Sequence, residues 1–502
     1  MTTIRDAIDR NADAQPDAPF LFAPEPGTTI SRAALRATAR GLAAELAACG
    51  IRRGDVVSYM LPNGVAAASV FLGAMYGSYV VSPVSLIAQD ALIAHALAHS
   101  ETRIVFAAPE FVERLRAIVA RAGRSVIVRT TAPDDLGLTD SGAAAPEAVP
   151  TPESPALLMY TSGTTGTPKG ALLTHANLIH AGRSVAAAHA LTAADRVLSS
   201  LPLYHVNGQC IATVSPLVSG GSIVMPHRFS VSQWWSQVER YRPTWLNVVP
   251  TIIAYLLNGP ELTPTQAEAC KGIRFARSAS APLPPAQHRA FEARFGISVL
   301  EAMGLTESAS VAFANPLAPD ERRLGSPGLP LGMEARIVAP DGAVLGVGEC
   351  GEIELRGDNV MQRYHKDPDA TARTLRPGGW LATGDLGYRD ADGFYFITGR
   401  MKELIIKGGE NIAPREIDEA LLSHPAVLEA AAVGIPDPEY GQDILACVVL
   451  KPGCPCPEAE LRAHCLVRLG RYKTPKAFRF VAELPKGPSG KVQRLKLASD
   501  AA

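Results

Sequence analysis

The chain has 502 residues, 47% hydrophobic and 19% charged, with a formal net charge of -1. That balance offers neither a basic surface for nucleic acid nor a cationic face for an anionic membrane as the main partner. The length exceeds what one hydrophobic core fills, so a large multi-part body with a smaller unit is expected.

The first residues, MTTIRDAIDRNADAQPD, are polar and lack the apolar region of a signal peptide. Between Ser31 and Cys49 apolar and alanine residues recur at helical spacing, and Gly50 suits the end of that helix. Residues 65–88 carry no charge and are numerous enough to span a membrane. Ser69, Gly73, Gly77, Ser78, Ser82, Pro83 and Ser85 interrupt them, however, and Pro83 would break a helix, so a buried helix running into a buried strand is expected. The apolar runs VVSYMLP, YVVSPVS, RIVFAA and SVIVRT are mostly separated by helix-length segments, the pattern of βαβ units and parallel sheet.

Residues 131–155 are rich in Pro, Ala, Asp and Ser and read as a surface linker, and a second α/β stretch follows from Leu157 to near Phe313. After Leu324 the runs ARIVAPDGAVLG, GEIELRG and GYRDADGFYFITGR read as strands joined by turns, with Asp341-Gly342 and Asp392-Gly393 as hairpin signals. From Met401 a compact α/β piece of roughly 100 residues completes the chain. The eight cysteines, Cys49, Cys210, Cys270, Cys350, Cys447, Cys454, Cys456 and Cys465, are scattered and read as reduced thiols. Cys454, Cys456, His464 and Cys465 crowd together as a zinc site would, but C-P-C is not the C-x-x-C knuckle, so ordinary thiols are expected. The C-terminal LASDAA matches no peroxisomal address, leaving the cytoplasm as the expected compartment.

The segment YTSGTTGTPKG, residues 160–170, follows the apolar run ALLMY, which reads as a strand. Glycines let backbone N–H groups approach an anion, Ser and Thr add donors, and Lys169 adds charge, a composition suited to holding a polyphosphate. It is not a Walker A loop, because Gly166 is followed by Thr167 and Pro168 before Lys169. A Ser/Thr linker is the plain alternative.

The segment resembles the signature of the adenylate-forming superfamily, which contains acyl-CoA synthetases, adenylation domains and firefly luciferase. Further motifs follow in that family's order: LPLYHVNGQ at 201–209, RSASAPLP at 277–284, EAMGLTES at 301–308, GEIELRG at 351–357, WLATGDLGYRDADGFYFITGRMKELIIKGGENIAPREID at 380–418 and PKGPSGKVQR at 485–494. The resemblance implies an α/β fold with a large N-terminal domain of stacked α/β sheets plus a β-barrel-like part over 1–400, and a small mobile α+β domain over 401–502. It implies an acyl-CoA synthetase, in which a carboxylate attacks ATP to give acyl-AMP and pyrophosphate, and the thiol of CoA then takes the acyl group. A carrier-protein phosphopantetheine is the alternative acceptor. A luciferase-type oxygenase and an inactive acyl-nucleotide binder are the remaining rivals.

By the same resemblance, Thr161, Ser162, Gly163, Thr164, Thr165, Gly166 and Lys169 would hold the ATP phosphates. Glu307 would bind Mg2+ and Thr306 would contact phosphate. Asp385 would hold the ribose with Arg400 as its partner. Ser280, Ala281 and Pro282 would pass along one side of the adenine, and Glu301, Ala302, Met303, Gly304 and Leu305 along the other. Met303 stands where the family often has an aromatic. Lys491 matches the lysine that the small domain carries to the reacting centre. Lys402 matches the hinge, and Lys407, Gly408, Gly409 and Glu410 lie in the strip that forms the pantetheine tunnel. His205 matches a residue at the junction of acyl pocket and tunnel. The acyl pocket would be lined by His205, Val206, Asn207, Gln209, Trp245, Asn247, Val248, Arg277 and Ser278. Amino-acid-activating relatives place an Asp where this chain has Val206, which argues against an amino acid substrate. Arg277 could pair with a second carboxylate or face a neighbouring helix; the surrounding run resembles enzymes that include oxalate- and other small-acid ligases.

Overall fold

Short β-branched runs that are buried on both faces form the central strands of parallel sheets. In this computed structural model, which describes residues 2–138, 149–161, 168–486 and 492–499, all the residues of Val56–Met60, Val80–Pro83 and Ile104–Ala107 are buried. These strands and Ile127–Thr130 pair in parallel, as the alternation of apolar runs and helical segments requires. They belong to a seven-stranded sheet that continues through Pro155–Thr161 and Lys169–Thr174 to Arg363–Tyr364. Pro155–Thr161 and Lys169–Thr174 form an antiparallel hairpin whose two ends flank the segment expected to hold a polyphosphate.

A second sheet has nine strands and a parallel centre built from Ser222–Val224, Arg196–Leu198, Trp245–Val248, Phe275–Ser278 and Val299–Met303. One large apolar core is shared between the two sheets. The helix Val65–Tyr76 belongs to it and is buried along almost its whole length before the chain enters Val80–Pro83. Its uncharged stretch is therefore explained by protein on all sides. Among the described residues no helix is long and apolar enough to cross a membrane.

The barrel-like part is a five-stranded antiparallel sheet that includes Glu334–Val338, Gly351–Arg356, Trp380–Arg389 and Tyr395–Arg400. Gly342 and Gly393 sit at φ +92° and +90°, the left-handed backbone that the two Asp-Gly turns call for. The C-terminal piece has its own five-stranded sheet, in which Val427–Asp437 and Gly441–Leu450 form a long hairpin. Helices Pro414–Leu422 and Glu458–Lys473 pack on it around a separate apolar core.

One side chain ties the small piece to the large body: Arg415 Nη1 donates to the Ile397 carbonyl at 2.6 Å, and Nη2 to that of Gly325 at 3.4 Å. Within the small piece the Arg494 guanidinium pairs with Asp418, lies 3.3 Å from Glu403 and donates to the Ala432 carbonyl at 2.8 Å. Removing one partner from such a largely buried pair leaves the other charge uncompensated. Arg494→Met is therefore expected to lower the opening free energy of the small domain by about 3 kcal/mol. Hydrogen exchange across residues 414–450 would measure it, with the large-domain core unaffected.

Candidate active site

The hairpin that ends in the polyphosphate motif holds Thr161 opposite Lys169. The Lys169 ammonium lies 5.2 Å from the centre of the Tyr364 ring. The Tyr364 hydroxyl donates to Glu307 Oε1 at 2.7 Å. Burial and the Glu307 carboxylate push the Tyr364 phenol well above its usual range, so it stays protonated as that donor. One tyrosine thus fixes the lysine of the phosphate motif relative to the carboxylate expected to take Mg2+. Nothing in MQRYHKDPDAT marked Tyr364 for this role; its strand pairing with the hairpin, Tyr364 opposite Ala171, does so. Ser162, Gly163, Thr164, Thr165 and Gly166 lie outside the described residues.

Glu307 and Thr306 sit on a single turn, Thr306–Ser308, after which the backbone turns left-handed at Ala309 and Ser310. A Cβ on Gly304 would come within 2.1 Å of the Ser310 carbonyl, so only glycine allows this fold-back. Glu301 is 4% exposed and Oε1 accepts from the Leu283 backbone at 3.2 Å, which joins the 301–305 segment to the residue just after 280–282, the two segments expected around the adenine. Burial pushes its carboxyl up to about 7. Asp385 and Arg400 are cross-strand partners, and Arg400 Nε lies 2.6 Å from Asp385 Oδ1. The ionised Asp385 is the first cause that holds the guanidinium above its usual range.

On the acyl side, His205 enters a helical stretch, Asn207–Val214, wound as a π-helix, which the sequence does not announce. A Cβ on Gly208 would lie 2.5 Å from the Pro202 carbonyl, so this entry needs glycine. Asn247 donates to Asn207 Oδ1 at 3.1 Å, and Asn207 donates to Ser280 Oγ at 3.1 Å. His205, Val206, Ser280, Gly304, Leu305 and Thr306 surround a narrow cavity of about 30 Å³. Gln209 is occupied with the Leu203 carbonyl at 2.5 Å.

Strand alternation divides the expected acyl-pocket residues. Trp245, Asn247 and Arg277 share one face, Asn247 and Arg277 being direct partners across the strands. Trp245 packs on Phe275 in the inter-sheet core. Val248 packs in the other core, with Leu246 and Ala276, and Ser278 alternates away from Arg277, so these two do not line the Asn247–Arg277 face. Arg277 does not pair with a neighbouring helix. It is 0% exposed, and among the described residues its Nε, Nη1 and Nη2 have no hydrogen-bond partner. Burial pulls its guanidinium down to about 9, still charged at neutral pH.

In the small domain Lys402 is exposed on the turn Met401–Glu403. Gly408, Gly409 and Glu410 are exposed at a hairpin tip. Lys407 differs from the expectation: its ammonium is buried, 2.7 Å from Asp443 and 3.1 Å from the Tyr472 carbonyl, so two of its three donors are taken up inside the small domain. Lys491 lies outside the described residues. The backbone on either side of it closes through a bridge between Lys486 and Val492. Near the cysteine cluster, His424, Cys456 and Glu460 come together, with His424 Nε2 3.2 Å from Glu460 Oε1. His424 Nδ1 accepts from the Ala426 backbone, so Nε2 carries the proton and donates to Glu460, the arrangement of a hydrogen-bonded cluster.

A family model described as AMP-binding enzyme matches residues 8–365, and one described as AMP-binding enzyme C-terminal domain matches residues 416–491. The chain is 56% identical over 490 residues to the sulfoacetate–CoA ligase of Cupriavidus necator, covering 97% of this chain and 95% of that protein. It is 34% identical over 461 residues to an oxalate–CoA ligase of Arabidopsis thaliana, covering 89% of this chain and 88% of that one. Among solved structures, ATP-bound MatB from Rhodopseudomonas palustris superposes with a TM-score of 0.90 at 32% identity, covering 99% of this chain and 98% of that one. Its apo form gives 0.78 at the same coverage, so the present arrangement is nearer the ATP-bound one.

Tyr364→Phe keeps the ring against Lys169 and deletes the bond to Glu307. A hydrogen bond to a charged group contributes about 1.5 kcal/mol, so kcat/KM for MgATP in pyrophosphate exchange should fall about tenfold. An unchanged value would remove Tyr364 from the site.

Proposed function

This chain belongs to the AMP-binding enzyme family and is an AMP-forming acid–CoA ligase, and on that premise we propose that its acid is a two-carbon carboxylate bearing a second anionic group, with sulfoacetate first and oxalate second. The enzyme uses ATP to convert the acid to acyl-AMP with release of pyrophosphate, and CoA then takes the acyl group.

The observation that carries this reading is the isolation of Arg277. A buried guanidinium with five donors and no counter-ion costs several kcal/mol, and a ligand anion is the partner that offsets it. The relatives named for sulfoacetate and oxalate support the reading, because each of those acids is short and doubly charged. The reacting carboxylate would then lie toward the cavity at His205, Ser280 and Gly304, with the second anion held behind it.

Asp385 would accept from the ribose hydroxyls, with Arg400 holding it in place. Glu307 and Thr306 supply the hard oxygen donors that suit Mg2+, and that ion, when bound, supplies charge neutralisation on the phosphates. The domains divide at 400/401. Lys491 would neutralise charge as the acid carboxylate meets the α-phosphate. Rotation about Lys402 would then exchange Lys491 for Gly408, Gly409 and Glu410 at the acyl centre.

The test is mass spectrometry of products with MgATP, CoA and sulfoacetate, oxalate, malonate, acetate or propionate. Sulfoacetate should give the highest kcat/KM for acyl-CoA. Arg277→Met should lower that value about a hundredfold and leave acetate within about twofold. Acetate or propionate as the best acid for the intact enzyme would overturn the reading. Lys402→Pro should slow thioester formation more than adenylation when the half-reactions are timed separately; equal losses would exclude a hinge there.

A further inference from the structure

A single helix grips both stems of the phosphate-loop hairpin. Helix Asp90–His99 presents His95 and His99 four residues apart, on one face, with ring centres 5.2 Å apart. His95 Nε2 lies 3.1 Å from the carbonyl oxygen of Pro168, which leads into the second stem. His99 Nδ1 lies 2.9 Å from the hydroxyl of Tyr160, on the first stem. A carbonyl oxygen only accepts, so His95 donates to it. Burial, then the charges of His95 and Lys366, hold His99 below the usual imidazole range. The neutral ring and the Tyr160 hydroxyl therefore share one hydrogen bond, whose donor is set by the imidazole tautomer.

The second stem is fastened from a further side. His365 N–H donates to the Gly170 carbonyl at 2.7 Å, and the His365 ring meets that of His99 edge-on at 5.4 Å. Lys366 Nζ donates to the His99 carbonyl at 3.1 Å. Tyr160 and Gly170 are cross-strand partners, and a Cβ on Gly170 would press on Leu158 at 2.8 Å and the Tyr160 ring at 3.4 Å. The bare glycine lets the tyrosine ring lie across to the histidines. The same short segment carries Tyr364 to Glu307.

We propose that His95 and His99 are positioning residues for ATP: each fixes one stem of the phosphate-loop hairpin to a common helix, so that the spacing and aim of the stems are set before the triphosphate arrives. The proposal rests on the reading of residues 161–170 as the triphosphate cradle. Neither ring needs to touch the nucleotide. Stems fixed in advance remove part of the ordering cost that association would otherwise incur.

The test uses the full chain. Dissociation constants for ATP and AMP are measured by calorimetry, beside KM for ATP, acid and CoA. The variants are His95→Ala, His99→Ala, His95→Gln and His99→Asn, with Lys169→Ala as reference. The Gln amide falls where Nε2 lies and the Asn amide where Nδ1 lies, so these two restore the contacts without an imidazole. Each alanine variant should weaken ATP about tenfold, leave AMP, acid and CoA within about twofold, and be largely rescued by its amide counterpart. If Lys169→Ala loses ATP affinity and the histidine variants do not, the loop reading stands and the clamp is overturned. If Lys169→Ala also leaves ATP binding intact, the loop reading falls and takes the clamp with it. If ATP and AMP weaken equally alongside a lower melting temperature, the histidines serve only general stability, and the proposal is overturned.

Discussion

Carboxylate and triphosphate are both negatively charged, and their approach to bonding distance is opposed by a Coulomb repulsion that grows as water is excluded. Fixed positive charge and oriented donors must offset it before any bond forms. On the proposed reading, three cations of the large domain would serve this end. Lys169 rests on the Tyr364 ring beside the phosphate motif, Arg400 is held by Asp385, and Arg277 is buried in the strand next to Asn247. They come from three different sheets, so no local segment could carry the site alone.

Those sheets must therefore be registered to one another, and the means is a set of short polar links through a mostly apolar interior. Tyr364 joins the hairpin to Glu307, Glu301 joins its strand to the Leu283 backbone, and the two asparagines join the π-helix to Ser280. Each is buried or half-buried, where an unmade hydrogen bond costs more than on the surface. Arg415 extends the same logic across the domain boundary with bonds to the Ile397 and Gly325 carbonyls. Backbone carbonyls accept equally well from water, so such a latch can release without stranding a charge.

Much of this architecture was legible in the sequence. The four runs from VVSYMLP to SVIVRT became parallel strands because their apolar content suits burial on both faces. The uncharged stretch 65–88 became a buried helix, Val65–Tyr76, and a buried strand that ends at Pro83, a residue a helix interior does not accommodate. The Asp-Gly turns fell where positive φ was needed. What was not legible depended on contacts distant in sequence. The side of the strand that Val248 faces follows from register rather than composition. The buried ion pair of Lys407 follows from Asp443 on another strand. His95 and His99 look like any helical pair until the fold brings Tyr160 and Pro168 against them. The solitude of Arg277 is a property of its surroundings, which no reading of RSASAPLP contains.

That solitude reaches beyond catalysis. A chain that buries a charge without a counter-ion is less stable empty than occupied, and any anion that binds only the folded form raises its stability in proportion to RT ln(1 + [L]/Kd). The fraction of molecules open to proteases at any moment falls by the same factor. The persistence of the enzyme in a cell would then follow the supply of its own acid, so that abundance tracks demand without a dedicated regulator.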